Sequence, residues 1–455
     1  MFRTSIAAAA CLVAVTSCGS AAAPSSQPTV DSASAGTGVS SATGPNETDG
    51  SSTSDVAGAP VRVGADVAAA DGFSDLQNER VGFIVNSASL VGEDHVVDLA
   101  VQSGVQVEAL FAPEHGVRGS AAAGELVRDE VDEATGLTVF SLYGDTKKPS
   151  VDMLENVDTL VFDLQDVGTR YYTYISTLGL AMQAASENGV KFVVLDRPNP
   201  QGGQTISGFT PSADVESFVS RYPIPSVYGL TAGELASAIV GEKWLDGLDE
   251  LDLTIVKMQG WNRQQTWADT KLAWTPPSPG LPSAESALIY PSTVYFEASN
   301  LSYGQGTGEP FQLVGAPWIE GEKQAEKLNG FGLPGVRFEA LTFTPRSTAL
   351  HPQPPFEDTP LSGVRVVVTE PADLDATAVG VHLVLTLQTH AAEKGQGPIL
   401  ANPDLVDLLF GSSTLRQGLN DVTVGAEAEA ADRIRAEWAP SVSEFAELRT
   451  PYLLY

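Results

Sequence analysis

Between residues 81 and 258 the chain alternates short apolar runs with longer segments of helical spacing. The runs "VGFIVN", "VQVEALF", "LTVFSLY", "TLVFDL", "KFVVLD" and "LTIVKM" are rich in β-branched and aromatic residues. Most are continuously apolar, the pattern of parallel strands buried on both faces. Of the intervening segments, "TYISTLGLAMQAASENG" gathers its apolar residues on one helical face and stops at Gly189, a residue suited to a helix C-terminus. "TAGELASAIVGEKWL" opens with Thr231 and carries Glu234 three positions on, the spacing of a capping box. This alternation predicts an open, mostly parallel α/β sheet.

After about residue 300 the pattern changes. "APWIEGEKQAEKLNG" reads as a helix, "GVRFEALTF" and "GVRVVVTE" as strands, and helices are expected within 376–394, 402–411 and 421–447. The second part is therefore expected to be a smaller α+β domain. No internal repeat is evident.

The first residues change the picture of where the protein works. Arg3, the apolar stretch Ile6 to Val15 and then "VTSC" have the layout of an export signal. "VTSC" resembles a bacterial lipobox, so Cys18 is the expected lipidation site. Cys11 lies inside the signal, which leaves no free thiol in the mature chain and removes disulfides and thiol catalysis from consideration. Residues 19 to about 60 are almost all Ser, Ala, Gly, Thr, Pro and Asp, too poor in apolar surface to offset the entropy of ordering. The expected organisation is a lipoprotein signal over 1–17, a tether over 18–60, a catalytic α/β domain over 61–300 and the smaller domain over 301–455. The expected location is outside the cell membrane, on its extracellular or cell-wall side, attached by lipid alone.

A formal charge of −32 and a pI near 4.3 oppose binding to nucleic acid or to an anionic bilayer surface. A charged substrate would have to be read by a few specific cations. The polar motifs sit where an open α/β sheet binds ligands, past the carboxyl ends of its strands. "EALF" leads into "APEHGVRG", "VFDL" into "QDVGTRYYTY" and "FVVLD" into "RPNPQGG". Three strands thus deliver Glu114, His115, Arg118, Asp163, Gln165, Asp166, Arg170, Tyr172, Asp196, Arg197 and Asn199 to one expected rim. Asp163, inside an apolar strand, suits a structural ion pair as well as catalysis. Asp196 could cap the turn that the following prolines enforce.

Glu114 is the leading catalytic candidate, a carboxyl group that partial desolvation could turn into a proton donor near neutrality. Asp163 and Asp166 are the further catalytic candidates. "SYGQGTGEP" lacks both a dinucleotide fingerprint and a P-loop lysine, so it reads as a flexible rim loop carrying Glu309 toward the cleft. No H-E-x-x-H and no G-x-S-x-G occur. Neither a metal nor a cofactor is expected.

Together, "FAPEHGVRG", "SLYG", "VFDLQDVGTRYYTYISTLGLAMQAA", "VVLDRPNPQGG", "YGLTAGELA", "PSPGLPS", "YPSTVYFEASNLSYGQGTGEPF" and "GAPWI" occur in the order seen in the bacterial exo-β-N-acetylmuramidases, which the chain resembles over about 75–455. The resemblance implies a Rossmann-like domain plus a smaller C-terminal domain, with the active cleft between them. It implies a glycoside hydrolase that removes N-acetylmuramic acid from the non-reducing end of peptidoglycan fragments, and it places the proposed catalytic glutamate at Glu114. The chain departs from the family pattern at Tyr228, where histidine is usual, at Gly280, where asparagine is usual, and at Gln305, where arginine is common. A second group would stabilise or attack the anomeric carbon: Asp163, Asp166, Glu309 or the sugar's own acetamido oxygen. The lactyl carboxylate of muramic acid suits a planar cation such as Arg118, Arg170 or Arg197. The competing reading is a non-catalytic envelope lipoprotein that binds wall-derived sugars.

Overall fold

The computed structural model describes residues 59–119, 122, 124–212 and 215–455. The expected signal, tether and Cys18 lie outside the described residues. The strands are β1 (Arg80–Val85), β2 (Leu90–Val91), β3 (Asp94–His95), β4 (Gln106–Ala112), β5 (Glu130–Val131), β6 (Thr138–Ser141), β7 (Thr159–Asp163), β8 (Lys191–Leu195), β9 (Leu253–Val256), β10 (Leu313–Ala316), β11 (Val336–Phe343) and β12 (Leu361–Val368). Seven form one sheet in the order β5-β6-β4-β1-β7-β8-β9, parallel throughout except for the short edge strand β5.

The order of the six parallel strands, with the chain starting at the centre and winding outward in each direction, is that of a Rossmann-like sheet, and its switch point lies between β1 and β7. Every residue of β7 is buried, as its unbroken apolar run requires. Phe83, Phe111, Phe162 and Phe192 are fully buried across the central strands. Each such side chain contributes roughly 1.5–3 kcal/mol relative to leaving it in water.

The helix Tyr174–Asn188 ends at Gly189 in the left-handed conformation, and the helix Ala232–Gly241 starts with the reciprocal Thr231–Glu234 cap, both as the spacing predicts. The second part holds the antiparallel sheet β10-β12-β11 and the helices Ala376–Glu393, Pro403–Phe410, Thr414–Asp421 and Glu427–Leu448. The helix Ala284–Thr293, not anticipated from its mixed composition, packs on Ala376–Glu393 and so sits with the second part. Among the described residues no helix is long and apolar enough to cross a membrane.

Two buried groups join the parts. The fully buried guanidinium of Arg170 donates to Ser220 Oγ (2.6 Å) and to the carbonyls of Leu408 (3.3 Å) and Leu409 (3.0 Å), at the C-terminal end of helix Pro403–Phe410. A cation there complements the helix dipole, while loss of water lowers its pKa to about 10.

Asp196, also fully buried, accepts from Thr231 Oγ1 (2.7 Å), Gly233 N (2.9 Å) and Tyr455 Oη (2.8 Å), and Tyr455 Oη in turn accepts from Met258 N (2.9 Å). Tyr455→Phe removes the partner of a buried carboxylate and of a backbone N–H, at a cost of about 1–3 kcal/mol. Urea unfolding should show a lower midpoint with an unchanged slope. An unchanged midpoint would show that these bonds carry no stability.

Candidate active site

Past the end of β4 the chain turns sharply through Pro113-Glu114-His115-Gly116. Gly116 N donates to Pro113 O (3.0 Å), and both His115 (φ 75°) and Gly116 (φ 78°) take left-handed backbone. Glycine adopts this conformation freely. For histidine it is uncommon, and residues held this way cluster at functional sites. The turn leaves Glu114 half-buried, facing a cavity of about 430 Å³ between the large sheet and the second part.

The Glu114 carboxylate is held from two sides. Thr173 Oγ1, just before the helix Tyr174–Asn188, donates to Oε2 (2.7 Å), and Gly124 N donates to Oε1 (3.0 Å). Tyr143 also hydrogen-bonds to the carboxylate, and burial with Glu114's charge raises the Tyr143 pKa, so the phenol stays a donor. Behind the turn, Tyr174 Oη donates to Pro277 O (2.6 Å), accepts from Asn86 Nδ2 (2.8 Å) and lies 3.2 Å from Glu114 O. One hydroxyl thus links the end of β1, the turn after β4 and the loop that carries Ser278 and Gly280 into the cavity.

Glu297 faces the same cavity from the 3₁₀ turn Val294–Ala298. Its surface is exposed, opening onto the cavity, yet the surrounding protein removes much of its bulk hydration. That desolvation, with the charge of Glu114 as the smaller cause, pushes its pKa up to about 7. Among the described residues none donates a hydrogen bond to it. Aromatic rings make up much of the remaining wall: Tyr171, Tyr172, Tyr290, Tyr303 and Phe311, with Tyr290 and Phe311 edge to face at 4.8 Å. Flat amphipathic rings around a few polar groups suit a sugar, whose faces are apolar and whose rim is hydroxylated.

Of the residues expected at the rim, Glu114, His115 and Tyr172 line this cavity. The others are set apart from it by their own partners. Asp163 and Arg197 form the buried ion pair that the strand position suggested, Nε to Oδ1 at 2.5 Å and Nη2 to Oδ2 at 2.9 Å. Arg118 is bidentate to Asp132 at 2.9 Å for both bonds. Arg170 and Asp196 are the buried junctions described above. Gln165 Nε2 donates to Asp166 O and Pro198 O, and Gln165 with Arg197 lines a separate cavity near the sheet's switch point. Asn199 fixes its loop through Leu230 O and Gln201 N and lies too close to Gly168 (φ 74°) for a side chain there. Glu309 accepts from Arg365 Nη2 (2.6 Å).

Asp166 is buried beneath the cavity wall, bonded to Tyr228 Oη and Gly168 N, with Oδ1 lacking any partner. Gly280 and Gln305, two of the three departures from the family pattern, line the cavity, whereas Tyr228 is buried away from it. Glu297 was not among the expected site residues. Its only signal was an acid within the aromatic and apolar stretch "STVYFEA". Among the described residues no group of three His, Cys, Asp or Glu side chains could hold a metal ion.

A Rossmann-like sheet that presents Glu114 at a strand end, facing Glu297 from the second part across a tyrosine-lined cavity, has the make-up of a carbohydrate-active site. The chain matches the family descriptions "Exo-beta-N-acetylmuramidase NamZ, N-terminal" over residues 81–285 and "Exo-beta-N-acetylmuramidase NamZ, C-terminal" over 288–455, and it belongs to this family. It is 40% identical over 397 residues to the peptidoglycan beta-N-acetylmuramidase NamZ of Bacillus subtilis (strain 168), covering 87% of this chain and 91% of that protein. Two crystal structures of DUF1343 family proteins from Bacteroides fragilis NCTC 9343 share the fold. One has a TM-score of 0.78 at 35% identity and the other 0.72 at 31%, each match covering 87% of this chain and 99% of the other.

Burial raises the Asp166 pKa from an ordinary 3.8 to about 6. Between those values the folded state keeps a proton that the unfolded state has lost, so stability falls as pH rises through that window and levels off above it. Asp166→Asn has no charge to bury. Its stability relative to the parent should therefore improve from pH 4 to pH 6, by at most about 3 kcal/mol. A difference that stays constant with pH would show that Asp166 titrates normally.

Proposed function

We propose that this protein is an exo-acting glycoside hydrolase that releases N-acetylmuramic acid from the non-reducing end of peptidoglycan fragments. The observation that carries this reading, in a chain of this family, is that Glu114 and Glu297 share one cavity while their surroundings differ. A bounded cavity of this size suits a terminal sugar, and the competing sugar-binding reading has no use for a proton-bearing carboxyl beside a carboxylate.

In this mechanism Glu297 is the acid. With its pKa raised to about 7, it carries the proton in roughly half of the molecules at neutral pH. It passes that proton to the glycosidic oxygen as the bond to the anomeric carbon breaks, so the leaving sugar departs as an alcohol rather than an alkoxide. Glu114 is the anion that faces the positive charge developing on the ring, held in place by Thr173, Gly124 N and Tyr143. In this proposal Glu114, expected from the sequence to be the proton donor, takes the other role, since three donors converge on it and, among the described residues, none on Glu297. Water then completes the hydrolysis and returns a proton to Glu297.

The same proposal includes the chain's location. The signal, the "VTSC" lipobox and the Ser/Ala/Gly tether support an exported lipoprotein held through Cys18 on the outer face of the membrane, where wall fragments arise. Cys18→Ala should move the protein from the membrane to the soluble fraction, and equal membrane retention would remove the anchor from the account.

Two variants test the chemistry on a disaccharide with muramic acid at its non-reducing end and on a nitrophenyl muramic glycoside. Glu297→Gln should lose about 10²- to 10⁴-fold in kcat on the disaccharide and much less on the nitrophenyl glycoside, whose leaving group departs without protonation. Glu114→Gln should lose activity on both. Equal losses on both substrates for Glu297→Gln, or turnover of neither substrate by the unaltered protein, would defeat the assignment.

A further inference from the structure

The reaction just described implies a negatively charged substrate, because muramic acid carries a lactyl carboxylate that is ionised at neutral pH. Its cavity already holds Glu114 and Glu297, so a third carboxyl group entering there needs a compensating donor. The arginines that the sequence offered for this task are engaged elsewhere: Arg118 with Asp132, Arg170 with carbonyls of the second part, Arg197 with Asp163. Among the described residues lining the cavity, the only basic side chains are His115 and His351, and burial lowers the His351 pKa, so what that ring offers at neutral pH is an N–H donor rather than a fixed cation. His115 is buried in the strained turn and already engaged.

His351 differs in each respect. It is half-buried on the long loop between β11 and β12, it lines the cavity, and its ring has no hydrogen-bond partner among the described residues. The loop is held in shape by its own bonds. Thr348 and His351 exchange backbone bonds at 3.0 and 3.2 Å, Arg346 pairs with Asp358, and Asp358 N donates to Pro345 O (2.9 Å). Arg346 N also donates to Gly306 O (2.8 Å), tying this loop to the one that brings Gln305 to the same cavity. An imidazole and a carboxamide are thus presented by two linked loops, whereas Glu114 enters from the sheet.

We propose that His351, assisted by the amide of Gln305, reads the lactyl carboxylate and so sets the preference for muramic acid over a sugar without that charge. The proposal rests on the functional reading above. An imidazole N–H facing a carboxylate forms a charge-assisted bond, stronger than its neutral counterpart. His351 binds and positions the sugar; it takes no part in bond cleavage.

The test compares the unaltered protein and His351→Ala on the nitrophenyl glycoside of N-acetylmuramic acid and on the methyl ester of the same glycoside, which lacks the charge. His351→Ala should raise KM for the acid about tenfold, leave its kcat within about twofold, and leave KM for the ester nearly unchanged. An unchanged KM for the acid would overturn the proposal, and so would a parallel rise for both substrates, which would mark a loop-packing effect. Turnover of neither substrate by the unaltered protein would instead overturn the functional reading itself.

Discussion

Two carboxyl groups in one cavity cannot both be ionised without cost unless a cation lies between them, and among the described residues no arginine or lysine lines this cavity. The protein resolves the conflict by unequal treatment. Glu114 receives hydrogen bonds from a threonine, a backbone N–H and a tyrosine. Among the described residues none donates to Glu297, which is pushed toward its neutral form by desolvation and by Glu114's charge. Acid and anion are distinguished by environment alone, the pattern by which paired carboxylates take separate catalytic roles.

The fold serves that asymmetry by bringing the two groups from different parts of the chain. Glu114 stands at the end of a parallel strand, where the chain turns through a left-handed pair before returning to the surface. Glu297 stands on a short turn that follows the helix Ala284–Thr293 of the second part. Their relative placement depends on the junctions between the parts, which are polar and buried. Tyr174 Oη gathers three loops behind Glu114, Arg170 closes the end of a helix across the junction, and Asp196 secures the segment ending at Tyr455. Leaving any of these groups unpaired costs more than its bonds contribute in net stability, so the junctions hold the cavity in one geometry.

Much of this was legible in the sequence. Continuous apolar runs identify buried parallel strands, and because ligands gather at their carboxyl ends, the same runs locate Glu114, His115 and Tyr172. The role of the other charged residues was less legible. Asp163 and Arg197 leave neighbouring strands and look like a rim, yet side chains so close to the sheet satisfy each other instead of facing a ligand. Whether an arginine faces a substrate or a helix end depends on a partner hundreds of positions away, as with Arg170 and Leu409. Glu297 is illegible for the same reason: its proton affinity comes from surrounding protein and from Glu114, neither of which is written in the residues beside it.

The central claim is that Glu297 must be protonated for the leaving sugar to depart. The most direct measurement is the pH dependence of kcat/KM on the muramyl disaccharide, for the unaltered protein and for Glu297→Gln. The account predicts that activity of the unaltered protein falls as pH rises through about 7, the value to which the cavity lifts Glu297, and that the residual activity of the variant lacks this descending limb. A limb that persists unchanged in Glu297→Gln would contradict it.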